Sequence, residues 1–200
     1  MSQNKDMVTQ FQALFRKNKG YLTRKQLPDK STYNRLLKLV DEGIVERVKP
    51  GIYYYSDVST DATMIDLDKI TPGGVLCLYS AWAHYGLTVQ IPQSFHVAIE
   101  KNRKISLPAY PPVTLYYWQE EYYRLGITKR LIKGYNVNIY DIERSVCDAI
   151  RFRNKIGMEV VSEILKNYLK RKERNLSKLL DYAKKTRTEK ILKTYLEVQL

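Results

Sequence analysis

The two histidines and two cysteines are the residues of this sequence best suited to metal binding or nucleophilic catalysis. They are Cys77, His84, His96 and Cys147. Their intervals are irregular and mostly long, unlike the short paired spacings of zinc sites. Ser80 lies one helical turn before His84, as a nucleophile and its base could, but no Gly-x-Ser-x-Gly elbow accompanies it. We therefore predict buried thiols in a reducing compartment, with one disulfide as the less favoured alternative, and a partly buried His84.

Three carboxylates in one short segment form the other candidate catalytic cluster: Asp141, Glu143 and Asp148. Such a group could bind a metal ion, so a nucleic-acid-modifying enzyme stays an alternative. Interleaved arginines favour ion pairs on a helix surface instead; these are Arg144, Arg151 and Arg153. The sequence has neither a Walker A loop nor a Gly-x-Gly-x-x-Gly motif. We expect no cofactor and no enzymatic activity.

A short basic helix carries residue types that read DNA. Tyr33, Leu36, Leu37 and Val40 recur at helical spacing and predict a buried stripe, with polar and cationic residues opposite. In the major groove Asn pairs with adenine and Arg with guanine, whereas Lys suits phosphates. The predicted DNA contacts are Lys30, Thr32, Asn34, Arg35 and Lys38 on or beside this helix, and Arg47, Lys49 and Tyr53 on the hairpin that follows it. A protein–protein module with a solvated polar face is the alternative.

The elements before this helix are two further helices. Residues 4–17 have the apolar spacing of an amphipathic helix, and Gly20 suits its left-handed end. Thr23 predicts the start of a short second helix, which Pro28 ends. Ser31 is the predicted N-cap of the basic helix. The three helices together suit a helix-turn-helix.

A hairpin is predicted directly after the basic helix, which Gly43 closes. Two β-rich runs, 44–48 and 52–55, flank a turn that contains Pro50 and Gly51. The predicted fold class is therefore α+β, with an N-terminal winged helix-turn-helix and a mixed α/β C-terminal domain ending in helices. The polar, turn-rich stretch 56–72 separates the two, so we place the domains at residues 1–57 and 58–200.

The C-terminal domain has a mixed pattern that becomes helical towards its end. The predicted elements are a helix over 75–86, strands over 95–99, 113–117 and 137–140, and helices over 142–154, 157–171, 175–185 and 188–198. Tyrosines are abundant, and those at 116–117 and 122–123 could stack nucleobases beside Trp118. Because neighbouring strand residues face opposite sides, we expect at least half of them to pack in the core.

The net charge of +13 predicts a polyanionic partner. The excess lies at both ends of the chain, and the C-terminal helices hold a second basic region. Its residues are Lys166, Lys170, Arg171, Lys172, Arg174, Lys184, Lys185 and Arg187. We weigh two readings of it equally: a phosphate-binding surface for DNA or RNA, or a solvated face over apolar stripes.

The sequence contains no apolar run long enough to span a bilayer, and its first ten residues lack a signal-peptide core. We expect a cytoplasmic protein with no membrane partner.

Several segments of the sequence together resemble the AbiEi-type antitoxins. GYLTRKQL (20–27), LVDEGIVERV (39–48) and GIY (51–53) resemble the N-terminal domain of that family. GVLCLYSAWAHYGL (74–87) and YDIERSVCDAIR (140–151) resemble parts of its C-terminal domain. In this order the motifs are considerably more specific than the first alone, and the resemblance covers nearly the whole chain.

The resemblance implies a type IV toxin-antitoxin system of phage abortive infection. It implies that the winged helix binds inverted repeats and represses the protein's own operon. It also implies that the C-terminal domain opposes a nucleotidyltransferase-like toxin without forming a stable complex with it. The main alternative is a plain transcriptional regulator whose C-terminal domain senses a ligand or partner.

Overall fold

The N-terminal part of the chain folds as helices packed on a three-stranded antiparallel sheet with the strand order β1-β3-β2. The computed structural model describes residues 2–55, 66–108 and 111–199, so the predicted domain boundary at 57/58 lies outside them. The elements are α1 (Ser2–Lys17), β1 (Tyr21–Thr23), a 3-10 turn (Arg24–Gln26), α2 (Lys30–Asp41), β2 (Glu46–Lys49) and β3 (Ile52–Tyr54).

This element order confirms the first and third predicted helices, which are α1 and α2, and the predicted hairpin. The predicted second helix is only a single 3-10 turn, with the Thr23 backbone N–H donating to Gln26 Oε1 at 2.7 Å. Strand β1 was not predicted, because three residues are too few to show an alternating pattern and its partner β3 lies far along the chain.

The ends of α1 and α2 follow local rules, with one correction. Gly20 has a φ of 85° and donates its N–H to Phe15 O at 2.7 Å, as predicted for a left-handed helix end. Asp29, rather than Ser31, caps α2, because its Oδ1 accepts from Thr32 N at 2.7 Å. This hydrogen bond lowers the pKa of Asp29. Ser31 already lies inside the first turn.

The predicted apolar stripe of α2 faces the module's core. Leu36 is fully buried, and Leu37, Val40 and Tyr33 pack partly buried against the same cluster. Phe15 of α1 lies in that cluster. Burying each large apolar side chain stabilises the module by about 1.5–3 kcal/mol, so the core anchors α2 with its opposite face outward.

The C-terminal part is a five-stranded mixed sheet, in the order β6-β5-β4-β8-β7, followed by helices. Its elements are α3 (Leu67–Ile70), β4 (Val75–Leu76), α4 (Leu78–His84), β5 (Phe95–Glu100), β6 (Val113–Trp118), α5 (Glu120–Arg124), β7 (Ile127–Ile132), β8 (Tyr135–Tyr140), α6 (Ile142–Ile156), α7 (Met158–Leu169), α8 (Leu176–Lys185) and α9 (Glu189–Gln199). The predicted α+β class is confirmed.

Most predicted C-terminal elements are confirmed, including three strands and all four final helices. The predicted helix over 75–86 is wrong at its start, because Val75 and Leu76 form β4 between β5 and β8. A short apolar run does not distinguish a buried strand from a helix, and only pairing with distant strands decides it. Strand β7 and the short helices α3 and α5 were not predicted.

The acidic cluster is part of the fold's internal bonding rather than a surface network. The side chains of Arg144 and Asp148 are both about 1% exposed and paired at 3.0 Å, so the predicted surface ion pairing is wrong for them. Asp141 caps α6 by accepting from Arg144 N, and it also accepts from Tyr182 OH. Glu143 accepts from Tyr168 OH at 3.3 Å. Helices α7 and α8 supply the two tyrosines that bind Glu143 and Asp141.

Among the described residues, no group of three potential ligands is placed to hold a metal ion. Within the same ranges, no helix combines the length and apolarity needed to cross a bilayer.

Candidate nucleic-acid interface

Helix α2 presents a cationic stripe to solvent. Lys30, Asn34 and Lys38 follow one another at four-residue intervals along one face, and Arg35 lies beside them. All four side chains are exposed, and none has a hydrogen bond or ion pair within the described part of the chain. The structure therefore brings together four of the predicted DNA contacts on one exposed surface.

Thr32 does not belong to this surface. Its hydroxyl donates to Asp29 Oδ2 at 3.1 Å, and its backbone N–H is bound by the same carboxylate. The side chain is half-buried. Thr32 therefore completes the N-cap of α2, and the predicted base contact is corrected to a structural role.

The hairpin keeps one of its three predicted contacts at the surface. Arg47 is exposed. Lys49 instead donates from Nζ to the backbone oxygen of Ile70 at 2.7 Å, and burial lowers its pKa. Tyr53 is fully buried, and its hydroxyl lies 3.0 Å from the Tyr33 hydroxyl. Burial raises the pKa of Tyr53 to about 12. We remove Lys49 and Tyr53 from the predicted interface.

Lys49 is part of a junction between the hairpin and the C-terminal sheet. Tyr21, Val48 and Ile70 form a buried apolar cluster, against which Phe95 and Val113 of the C-terminal sheet pack. Two more bonds cross nearby: Tyr135 OH donates to Lys19 O at 2.8 Å, and Lys19 Nζ donates to Gly134 O. The rear of the hairpin is therefore covered, which leaves the α2 side of the module for a ligand.

Replacing Lys49 by methionine tests this assignment. A phosphate contact would make the salt dependence of DNA binding shallower, by about one unit of slope. We expect the slope of Lys49→Met to equal that of the wild type. We also expect a lower melting temperature, because the Ile70 carbonyl loses its partner. Binding titrations at four salt concentrations and thermal unfolding measure both, and a slope reduced by one would restore Lys49 as a DNA contact.

Arg24 is a residue at this surface that sequence reasoning missed. Its guanidinium lies 4.5 Å from the ring centroid of Tyr33, and its backbone N–H donates to Gly51 O at 2.9 Å. The 3-10 turn thus touches both α2 and the hairpin turn. Local periodicity contains no signal for it, because both partners are distant in sequence.

The cations of the second basic region have different environments. Arg171 donates to Tyr85 O at 2.8 Å and pairs with Glu173, Arg174 donates to Arg171 O, and Lys185 pairs with Asp181. The side chains of the others are exposed, with no hydrogen bond or ion pair among the described residues; they are Lys166, Lys170, Lys172, Lys184 and Arg187. Helix α8 (Leu176–Lys185) is about 15 Å long, and Lys184 lies near its end whereas Lys172 precedes its start.

The thiols and histidines take structural positions. Cys77 and Cys147 are free and buried, as predicted, and burial raises the pKa of both thiols. Ser80 Oγ accepts from the backbone N–H of His96 at 2.9 Å, and His96 Nδ1 lies 2.8 Å from Tyr116 OH. His84 is among the exposed residues, yet its ring packs edge to face on Tyr85 with centroids 4.9 Å apart, and burial lowers its pKa, so the side chain is partly covered.

The predicted stacking aromatics divide between core and surface. Trp118 is 8% exposed, whereas Tyr117 is 51% exposed. Tyr122 lies beneath Arg151, whose guanidinium is 3.8 Å from its ring centroid. Tyr123 donates to Gly73 O. Only Tyr117 of this group presents a largely open ring.

The N-terminal module is a helix-turn-helix whose basic helix is exposed. Residues 11–56 match the family model described as "Transcriptional regulator, AbiEi antitoxin". This confirms the predicted resemblance for the segment that runs from α1 through the hairpin.

The chain resembles a solved structure along most of its own length. The crystal structure of the RV2827C protein from Mycobacterium tuberculosis superposes with a TM-score of 0.52 at 12% identity, covering 95% of this chain and 81% of that one. At this identity the likeness concerns the fold alone. No curated protein sequence matches the chain.

Proposed function

We propose that this protein is the DNA-binding antitoxin of a type IV toxin-antitoxin system, and that it represses its own operon through α2. The observation that carries the proposal is the unpaired stripe of Lys30, Asn34 and Lys38, with Arg35 beside it, on the exposed face of a module that matches the AbiEi regulators.

The chemistry of the stripe suits a helix seated in the major groove. Its width admits an α-helix, and residues near the N-terminal end of the recognition helix reach the base edges. Asn34 and Arg35 are the base-reading types, while Lys30 and Lys38 suit the flanking phosphates. Arg47 would contact the backbone beside the helix. Inverted repeats require two copies of the chain on one operator.

The antitoxin part of the proposal rests on the C-terminal resemblance. Its two segments, 74–87 and 140–151, fold against each other, with Trp82 Nε1 donating to Ser145 O at 2.9 Å in the core. This contact supports treating them as one unit. We propose that the domain built around it counters a nucleotidyltransferase-like toxin without a stable complex, and that its exposed lysines could meet RNA.

A matched pair of double variants tests the proposal. Lys30→Ala/Lys38→Ala and Lys101→Ala/Lys104→Ala each remove two exposed lysines. The first pair should raise the expression of a reporter fused to the protein's own promoter. It should also reduce the salt slope of promoter binding by about two. The second pair should leave both unchanged.

Co-expression with the product of an adjacent nucleotidyltransferase-like gene tests the antitoxin role. The wild type and Lys30→Ala/Lys38→Ala should both restore growth. Repression with no restored growth would favour a plain regulator. Equal binding by both double variants would contradict the interface.

A further inference from the structure

We propose that Arg24 is an additional DNA-backbone contact, held in place by a tyrosine stack that joins the 3-10 turn to α2 and the hairpin. This inference rests on the proposed DNA binding and extends its surface from one helix to the space between helix and hairpin.

The contacts of Arg24 leave its charge available. The guanidinium stacks on Tyr33 at 4.5 Å from the ring centroid. A guanidinium has five N–H donors in a planar fork. No acceptor binds those of Arg24 among the described residues. A planar, charged donor held over a ring suits bidentate binding of a phosphate.

The stack itself is anchored in the core. Tyr33 OH lies 3.0 Å from Tyr53 OH, and the two rings meet edge to face at 6.2 Å. Because Tyr53 is fully buried in β3, it fixes the tilt of the Tyr33 ring. An arginine side chain loses rotamer entropy when it binds a ligand, and a fixed stacking partner removes part of this loss before DNA binds. Tyr53 therefore acts as a positioning residue instead of the contact predicted from sequence.

The position of Arg24 connects the exposed parts of the module. Its backbone N–H donates to Gly51 O, so it lies against the hairpin turn. Tyr33 follows Lys30 by three residues on α2, so Tyr33 lies at the edge of the buried stripe, next to Lys30 on the exposed face. Arg47 is the cross-strand partner of Tyr53 in the hairpin, so Arg24 and Arg47 both lie next to the Tyr33–Tyr53 pair. A duplex strand that passes between α2 and the hairpin would meet both arginines.

The test uses the full chain with a promoter fragment and an unrelated duplex of equal length, titrated across salt concentrations. Arg24→Ala should weaken binding to both duplexes by the same factor and reduce the salt slope by about one. Lys17→Ala, which removes an exposed cation from the end of α1, is the matched control and should change neither.

Two tyrosine variants separate charge from positioning. Tyr33→Leu keeps Arg24 but removes its platform, so affinity should fall severalfold while the salt slope stays near the wild-type value. Tyr33→Phe keeps the ring and should lie between Tyr33→Leu and the wild type. Thermal unfolding verifies that each variant is folded.

The outcomes distinguish the two proposals. A wild-type chain that does not bind its promoter overturns the proposed function itself. Promoter binding that needs Lys30 and Lys38 but is equal for Arg24→Ala and Lys17→Ala overturns the role of Arg24 alone.

Discussion

Replacing Arg144 by methionine is expected to lower the free energy of unfolding by about 3–5 kcal/mol, the cost of removing one partner of a buried ion pair. Arg144 pairs with Asp148 at 3.0 Å, and its Nη1 donates to Tyr122 O and Leu125 O at 2.6 and 2.8 Å. The variant would leave a buried carboxylate uncompensated and two carbonyls without this donor. Urea unfolding followed by circular dichroism measures the loss.

The stability of this variant should also depend on pH. Burial raises the pKa of Asp148 even with Arg144 beside it. Without the guanidinium the pKa rises further, because nothing then offsets the burial of the charge. A folded-state pKa above the unfolded value favours folding at low pH, and this contribution is lost as pH rises through the folded-state pKa. We therefore expect the loss of stability in Arg144→Met, relative to the wild type, to become smaller as the pH falls.

Two control variants test the reason for this effect. Arg144→Met/Asp148→Leu removes both charges and should recover much of the lost stability, since apolar replacement of a buried pair is often neutral. Gly126→Ala should destabilise separately, because its Cβ would lie 2.8 Å from Arg144 Cβ and its φ is 78°. A loss below about 1 kcal/mol for Arg144→Met would contradict the assigned role, since the buried partner would then have been satisfied by other groups.

Replacing Arg35 by alanine is expected to weaken binding to the protein's operator by about 1–3 kcal/mol and to relax the base preference at one position. The side chain is exposed and free of ion pairs among the described residues, so the change removes little from the folded state. An arginine that binds guanine O6 and N7 loses this discrimination entirely on truncation. Titration of an operator with single base-pair changes measures it.

Lys38→Ala is the matched comparison on the same helix. A phosphate contact should weaken binding to all sequences by a similar factor and reduce the salt slope by about one. If Arg35→Ala behaves in the same way, Arg35 contacts the backbone and a different side chain reads the bases. If neither change affects binding, α2 does not lie in the groove.

The sequence by itself determined the elements that are set by short-range patterns. Two β-rich runs around a turn with Pro50 and Gly51 placed the hairpin. The period of apolar residues placed α2 and the four C-terminal helices, because each of them buries one stripe against a core. The same periodicity correctly assigned Lys30, Asn34, Arg35 and Lys38 to the exposed face, since whatever lies opposite a buried stripe meets solvent.

The fate of the remaining polar residues was decided only by tertiary structure. Lys49 is a residue type that suits a phosphate contact, yet it donates to a carbonyl of α3. Tyr53 lies in the core against Tyr33, and Arg144 is enclosed between Trp118 and Tyr140. Each of these side chains is long enough to reach either water or a distant acceptor. Which one it reaches depends on the elements that fold beside it, and local spacing along the chain does not contain that information.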